Sequence, residues 1–221
     1  GIFRDQKSFD LAKQIGGSEK AFFVAEDPSL SWITRNSEII AKKEETHDSK
    51  MVLLCIRDFP FVEYAYKLGK KRGKMLKESF DREILRLVDE LLVKDNYVVK
   101  PLPMCTNSYG GDDRWYIRNL LGDRVFNECL DSSLLNHELA PTEYLREFKS
   151  CDFSLAMRFH SVLFSLGSGI KPFALDYTLG EGKVHSLIQN FELPSYNLSD
   201  ASKINLDNYL VGTRAEIEKP L

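Results

Sequence analysis

The sequence predicts an α/β fold, a parallel β-sheet with helices on both faces. Three observations predict it. Short apolar runs at residues 51–56, 97–101, 153–158 and 171–176 alternate with segments of helical character. The first run, Met-Val-Leu-Leu-Cys-Ile, is continuously apolar, as strands buried on both faces are. The turns between are short, so each strand–helix–strand unit closes as a right-handed crossover.

Each element has its own signal. Asp5 followed by residues 7–15 reads as a capped helix that stops at Gly16-Gly17. Residues 21–25, Ala-Phe-Phe-Val-Ala, read as a strand, and Glu26-Asp27-Pro28-Ser29 as a turn. Residues 36–50 are mostly polar and charged, which marks a linker and a domain boundary. After the strand at 51–56, Leu76, Phe80, Ile84, Leu87, Val88, Leu91 and Leu92 recur at three- and four-residue steps and predict an amphipathic helix. The strand at 97–101 leads into a loop rich in Asn, Ser, Tyr and Gly, and Asp112-Asp113 open a helix whose dipole suits acidic residues there. A weak strand is expected at 125–129, a helix at 142–148, a strand at 153–158 and a short helix at 160–166 closed by glycines. Residues 171–176 read as the last strand and 184–191 as the last helix.

Composition narrows the function. With 221 residues and 43% hydrophobic content the chain holds one large domain, or one plus part of another, without disulfides or a structural metal. A net charge of −3 argues against a nucleic-acid partner. No apolar run reaches the roughly 20 residues that span a bilayer, and no secretory leader is read. Cys55, Cys105, Cys129 and Cys151 form no C-x-x-C pair and stand apart from the histidines, so reduced thiols are expected and no metal site. The chain opens on Gly-Ile-Phe-Arg-Asp, at what reads as a strand end, so an upstream part is expected.

Ligands of open α/β sheets bind beyond the carboxyl ends of the strands, and this ranks the candidates. Foremost is Met157-Arg158-Phe159-His160-Ser161, where a strand ends on a cation and a histidine opens the next helix. The helix start offers unpaired N–H groups, Arg158 a fork of donors for a carboxylate or phosphate, and His160 a proton donor near neutral pH. The plainer alternative is a helix-capping histidine beside an arginine in a surface ion pair. Arg4-Asp5 stands at another strand-to-helix turn, with Asp5 as an ordinary N-cap for its alternative. Arg57-Asp58 ends the strand at 51–56, the alternative being that the two pair with each other. Gly180-Glu181-Gly182-Lys183 hints at an anion-binding loop, although it fits no Walker motif. Asp112-Asp113-Arg114 is most simply a helix start. Three arginines at expected strand ends together suggest an anionic ligand.

These residues resemble a known family. The stretch from Ala156 to Tyr177, Ala-Met-Arg-Phe-His-Ser-Val-Leu-Phe-Ser-Leu-Gly-Ser-Gly-Ile-Lys-Pro-Phe-Ala-Leu-Asp-Tyr, is similar to the signature of polysaccharide pyruvyl transferases. In that signature an Arg-Leu-His triplet ends a strand. A small-residue helix, a Gly-Val-Pro-like turn and a strand ending near Tyr follow, with a lysine further on. Here Phe159 takes the place of the leucine, Ile170-Lys171-Pro172 that of the tighter turn, and Lys183 lies further away. Arg4-Asp5-Gln6-Lys7-Ser8, Glu26-Asp27-Pro28 and Pro103-Met104 with Asp112-Asp113 resemble further family segments, so the likeness runs from residue 1 to about residue 193.

The resemblance implies two Rossmann-like domains facing across a cleft, with this chain as the carboxyl-terminal part of a GT-B-like two-domain enzyme. Residues 1–35 are then the end of an amino-terminal domain, 36–50 a linker, 51–193 the second domain and 194–221 a tail. It implies transfer of the enolpyruvyl group of phosphoenolpyruvate onto a hexose of a surface or capsular glycan, closing a pyruvate ketal, without a cofactor. His160 is the candidate for the acid or, alternatively, a phosphate ligand; Arg158 and Arg4 hold the anionic groups, joined by Arg57, Lys183 and Ser161; Asp5 orients Arg4 or acts as base. The acceptor is a saccharide, lipid-linked or free, and the oligomeric state is open. The expected location is the cytoplasm or the inner membrane surface. Two alternatives stand beside this: a glycosyltransferase of the same shape using a nucleotide sugar, and a non-catalytic carbohydrate-binding relative.

Overall fold

A run of six residues, apolar but for the opening lysine, forms the middle of the structure, and the alternation of its side chains decides the layers. The computed structural model describes residues 2–3, 6–15, 23–25, 27–40, 49–94, 97–107, 111–170, 172–178, 180 and 182–197. The chain begins with β1 (Ile2–Phe3), α1 (Gln6–Gln14), β2 (Phe23–Val24) and α2 (Pro28–Ile39). The central run is β3 (Lys50–Cys55), followed by α3 (Phe61–Leu68), α4 (Lys70–Leu92) and β4 (Tyr97–Pro101). Then come α5 (Asp113–Leu121), α6 (Pro141–Ser150), β5 (Phe153–Ala156), α7 (Phe159–Gly167), β6 (Pro172–Asp176), α8 (Lys183–Asn190) and β7 (Ser195–Asn197).

The larger sheet has the order β4-β3-β5-β6-β7 with every neighbouring pair parallel. Successive strand side chains face opposite ways. Val52 and Leu54 of β3 therefore enter one apolar cluster, shared with Tyr64 of α3, Phe80, Ile84 and Leu87 of α4, and Ile117 of α5. Leu53 and Cys55 enter a second cluster with Ile33 of α2, Phe148 of α6, Val162 and Leu163 of α7, and Leu187 of α8. The sheet thus has helices on both faces, as expected. A separate parallel pair joins β1 to β2.

Several expectations are corrected. Of the turn read at 26–29, residue 26 lies outside the described residues and the rest is the start of a helix: Asp27 accepts a hydrogen bond from the Ser29 N–H at 2.9 Å and Pro28 takes the first helical position. Residues 36–39, read as the opening of a linker, are the last turn of α2. The polar composition misleads because what holds this turn lies elsewhere in the chain: Lys149 of α6 donates to the carbonyls of Ser37 and Ile40, as cations near helix carboxyl ends do. Residues 125–129 form no strand. Residues 122–126 are a 3-10 turn, and the stretch pairs with β4 through an isolated Val99–Leu130 bridge, with hydrogen bonds of 2.9 Å from the Val99 N–H to the Cys129 carbonyl and from the Asp131 N–H to that of Val99. The strand at 172–176 is not the last, because β7 pairs with it in parallel. Helix α3 was not foreseen.

One contact sets how closely the first part of the chain approaches the second layer. A Cβ added to Gly167 would lie 2.4 Å from Cγ2 of Ile33, which is fully buried. Only a residue without a side chain lets α2 and α7 meet there. Gly167→Ala is therefore expected to cost about 1–3 kcal/mol in urea unfolding. Combined with Ile33→Ala, which removes the opposing methyl, it is expected to cost less than the sum of the two single changes.

Candidate functional site

The strand order reverses between β3 and β5: from β3 the chain moves outward to β4, then crosses back to β5 on the other side of β3. In sheets of this doubly wound order the loops leaving the two central strands diverge, and a crevice opens beyond their carboxyl ends. The register fixes which residues reach it. Cys55 pairs with Ala156, and Ala156 with Ala174. Arg57, Arg158 and Asp176 each follow two residues later and so stand at one level, the two arginines just past their strands and Asp176 at the end of β6.

Arg158 is the N-cap residue of α7 and is clamped. Its Nε donates to Asp113 Oδ2 at 2.8 Å and its Nη2 to Oδ1 at 2.5 Å. The Asp113 side chain is 2% exposed and that of Arg158 18%. Asp113 also accepts the backbone N–H groups of Cys105 at 2.9 Å and Met104 at 3.2 Å. Burial raises the Asp113 carboxyl from its ordinary pKa, while the Arg158 fork and these N–H groups pull it down. A guanidinium carries five N–H groups, and the clamp occupies two of them.

His160 is exposed in the first turn of α7, its ring edge-on to Phe159 with centroids 5.4 Å apart. It does not cap its own helix, since that position belongs to Arg158. Ser161 is buried beneath them. Its hydroxyl donates to the Arg158 carbonyl at 2.6 Å. The Ser165 hydroxyl donates to the Ser161 carbonyl at 2.8 Å and lies 2.7 Å from that of Ser154 on β5. This chain of hydroxyls holds the first turn of α7 to the sheet.

Arg57 does not pair with the Asp58 carboxylate, which binds Lys77 of α4 at 2.6 Å. The Arg57 Nε meets the Asp58 carbonyl at 3.3 Å, and its guanidinium lies over the Tyr177 ring at 5.4 Å. Arg57 is thereby turned toward the end of β6. Beside it opens a cleft of about 400 Å³ lined by Tyr64 and Lys67 of α3, Phe159, Tyr177, Thr178 and Lys183. The Tyr64 hydroxyl donates to the Tyr177 carbonyl and closes one wall. Lys183 is exposed at the start of α8. Gly182, at φ 103°, makes the bend before it. Arg4 and Asp5 lie outside the described residues.

Two features escaped the sequence reading. Asp113 looked like an ordinary first-turn acid, and only the doubled Asp112-Asp113 hinted that one carboxylate exceeds what capping needs; Asp112 performs the cap, accepting from the Arg114 N–H at 2.9 Å. The other is the buried Asp176, which accepts from the Thr178 N–H and hydroxyl and meets His185 Nδ1 at 2.9 Å. Nothing in the spacing signalled it.

A doubly wound α/β sheet thus carries a clamped arginine, an exposed histidine and a second arginine at its switch point. The family model of polysaccharide pyruvyl transferases matches residues 2–178, and the chain belongs to that family. Pyruvyl transfer onto a polysaccharide is the activity the family implies, and a saccharide is its acceptor. No curated protein and no solved structure matches the chain. The matched stretch contains Arg57, Asp113, Arg158 and His160, and ends before Lys183.

Asp113→Asn keeps the acceptor for Met104 and Cys105 but leaves the Arg158 charge unopposed. Urea unfolding is expected to show a loss of about 3–5 kcal/mol, part of it recovered by adding Arg158→Met. Asp112 behaves differently with pH. The Arg114 side chain hydrogen-bonds it and holds it below the usual carboxylate range, so its contribution is present above the unfolded pKa and lost as pH falls through the lower folded one. Asp112→Asn, which still caps, is expected to flatten the decline of the unfolding midpoint below about pH 4.

Proposed function

We propose that the donor is phosphoenolpyruvate and that the product is a pyruvate ketal on a hexose of a surface or capsular glycan. The observation that carries this reading is the pairing of clamped Arg158 with exposed His160 at the switch point, where an anion meets fixed donors and a proton source together. Phosphoenolpyruvate carries a carboxylate and a phosphate. Arg158 and Arg57 suit these groups, with Arg4 as a further cation and Lys183 at the rim of the cleft for the departing phosphate. Ser161 acts from beneath, by fixing the Arg158 carbonyl.

The reaction then runs in two additions. His160 gives a proton to the methylene carbon of the enol, leaving an oxocarbenium-like centre at the adjacent carbon. A sugar hydroxyl bonds to that centre and its proton passes to a base, the role assigned to Asp5. A second hydroxyl of the same sugar attacks the same carbon and returns its proton to His160, the carbon–oxygen bond to phosphate breaks, and the phosphate leaves with the proton held by Asp5 as the ketal closes. Donor plus sugar diol become ketal plus phosphate, with no oxidant or reductant. In this reading the larger sheet with its helices, α2 included, forms the domain that faces a second Rossmann-like domain in a GT-B-like enzyme, the residues before Asp27 belong to that other domain, and the reaction runs in the cytoplasm or at the inner membrane surface.

The test incubates the full-length protein with phosphoenolpyruvate and a panel of lipid-linked and aryl hexosides, following released phosphate and the mass gain of a pyruvate ketal. Both are expected, with His160→Ala losing at least about 100-fold in rate and Arg158→Lys also impaired because an ammonium lacks the fork. A fully active His160→Ala protein overturns the role of His160. Transfer from a nucleotide sugar, with none from phosphoenolpyruvate, replaces the reading with a glycosyltransferase.

A further inference from the structure

The helical hairpin of α3 and α4 carries a surface that neither the core nor the cleft uses. The two helices meet where Gly73 lies against Ala65: a Cβ at Gly73 would stand 3.1 Å from the Ala65 nitrogen. Their inner sides hold Tyr64, Phe80 and Ile84 in the core. On the outer sides, large apolar side chains face solvent: Val62 is 80% exposed, Tyr66 93% and Met75 60%. Val62 and Tyr66, four residues apart, share one face of α3.

Charge is concentrated on the same stretch. Between Val62 and Met75 stand Lys67, Lys70, Lys71, Arg72 and Lys74 against a single carboxylate, Glu63, in a chain whose net charge is −3. Lys67 pairs with Glu63 at 3.4 Å and Lys74 with Glu78 at 3.8 Å. Lys70, Lys71 and Arg72 are exposed and have no ion-pair partner among the described residues. They fill the first turn of α4, which has no acidic residue, and the helix dipole disfavours cations there. Neither ion pairing nor helix stability accounts for three cations at this place. Exposed apolar and aromatic side chains interleaved with unpaired cations match a surface that is anionic above and apolar below. Among the described residues no helix is long and apolar enough to cross a membrane, so such a contact is peripheral.

We propose that the outer face of the α3–α4 hairpin docks on an anionic lipid bilayer, Lys70, Lys71 and Arg72 meeting the headgroups while Val62, Tyr66 and Met75 enter the interface. The contact itself stands on exposure and charge. Its purpose rests on the function proposed above: Tyr64 and Lys67 of the same α3 line the cleft, so docking through this hairpin brings the cleft to the lipid surface and a lipid-linked saccharide within its reach.

The experiment sediments the full-length protein with vesicles of phosphatidylcholine alone and with vesicles that also contain phosphatidylglycerol. Binding is expected only to the anionic vesicles and is expected to weaken as salt rises. The triple change Lys70→Ser, Lys71→Ser, Arg72→Ser is expected to weaken it about 100-fold, and Tyr66→Ser to weaken it without altering the salt dependence. Both variants are expected to keep wild-type transfer to a soluble aryl hexoside and to lose it to a vesicle-borne acceptor. Equal sedimentation with neutral vesicles, no sedimentation with anionic ones, or a triple variant that binds unchanged overturns the proposal. Preference for an acidic polypeptide over anionic vesicles does the same and assigns the surface to a protein. Vesicle binding without pyruvyl transfer leaves the docking in place and removes the enzymatic reading; transfer without vesicle binding does the reverse.

Discussion

A guanidinium cannot be held near the floor of a protein crevice without a partner, because stripping its water costs several kcal/mol. Asp113 is that partner for Arg158, and much of the local architecture follows from supplying it. The carboxylate stands in the first turn of α5, and the loop after β4 folds so that Met104 and Cys105 turn their N–H groups onto it. Strand β4, helix α5 and the loop leaving β5 are thereby joined across the point where the strand order reverses. A buried ion pair of this kind adds little net stability compared with apolar residues in its place. What it gives is a fixed direction for a fork of donors, and fixed donors are what a reaction that develops charge requires.

Helix α7 is the other half of the site. Val162, Leu163 and Phe164 bury it among α2, α6 and α8. A helix with so little polar surface has few ways to hold its orientation about its own axis. The hydroxyls of Ser154, Ser165 and Ser161 supply one, each within hydrogen-bond distance of the next group and all three fully buried. Buried polar groups that are fully satisfied specify a unique arrangement. Here the arrangement brings His160 to the surface beside Arg158. A second satisfied buried charge, Lys100 of β4, meets Glu147 of α6 at 2.8 Å and Asp131 at 3.4 Å, and ties the outermost strand to the opposite layer.

The fold was legible where burial leaves a periodic mark. The runs that became β3, β4 and β5 announce strands, and Phe80, Ile84, Leu87, Val88 and Leu91 announce α4. Legibility ended where the deciding contact is remote in sequence. Helix α2 carries polar residues in its last turn and owes its carboxyl end to Lys149, more than a hundred residues away. Strand β7 is three residues long and gains its identity only from its neighbour β6. The same division runs through the site. Arg158 and His160 stand out because a strand ends and a helix begins on them. Asp113 and the Asp176–His185 pair do not, since partnership across the fold leaves no trace in local spacing.

The seam between α2 and α7 has a practical consequence for anyone who cuts this chain. Its polar composition invites a fragment beginning at Met51, just after the stretch that reads as a linker. Such a fragment discards Leu30 and Ile33, which lie against the second layer, and with them the helix that seats against Gly167. The remaining piece keeps every strand of the larger sheet yet presents a bare furrow along the back of the helix that carries His160. Solubility and the poise of that histidine would both suffer, although no residue of the crevice had been touched. The sensible incision lies upstream of Asp27, where the helix and its cap travel with the sheet they cover.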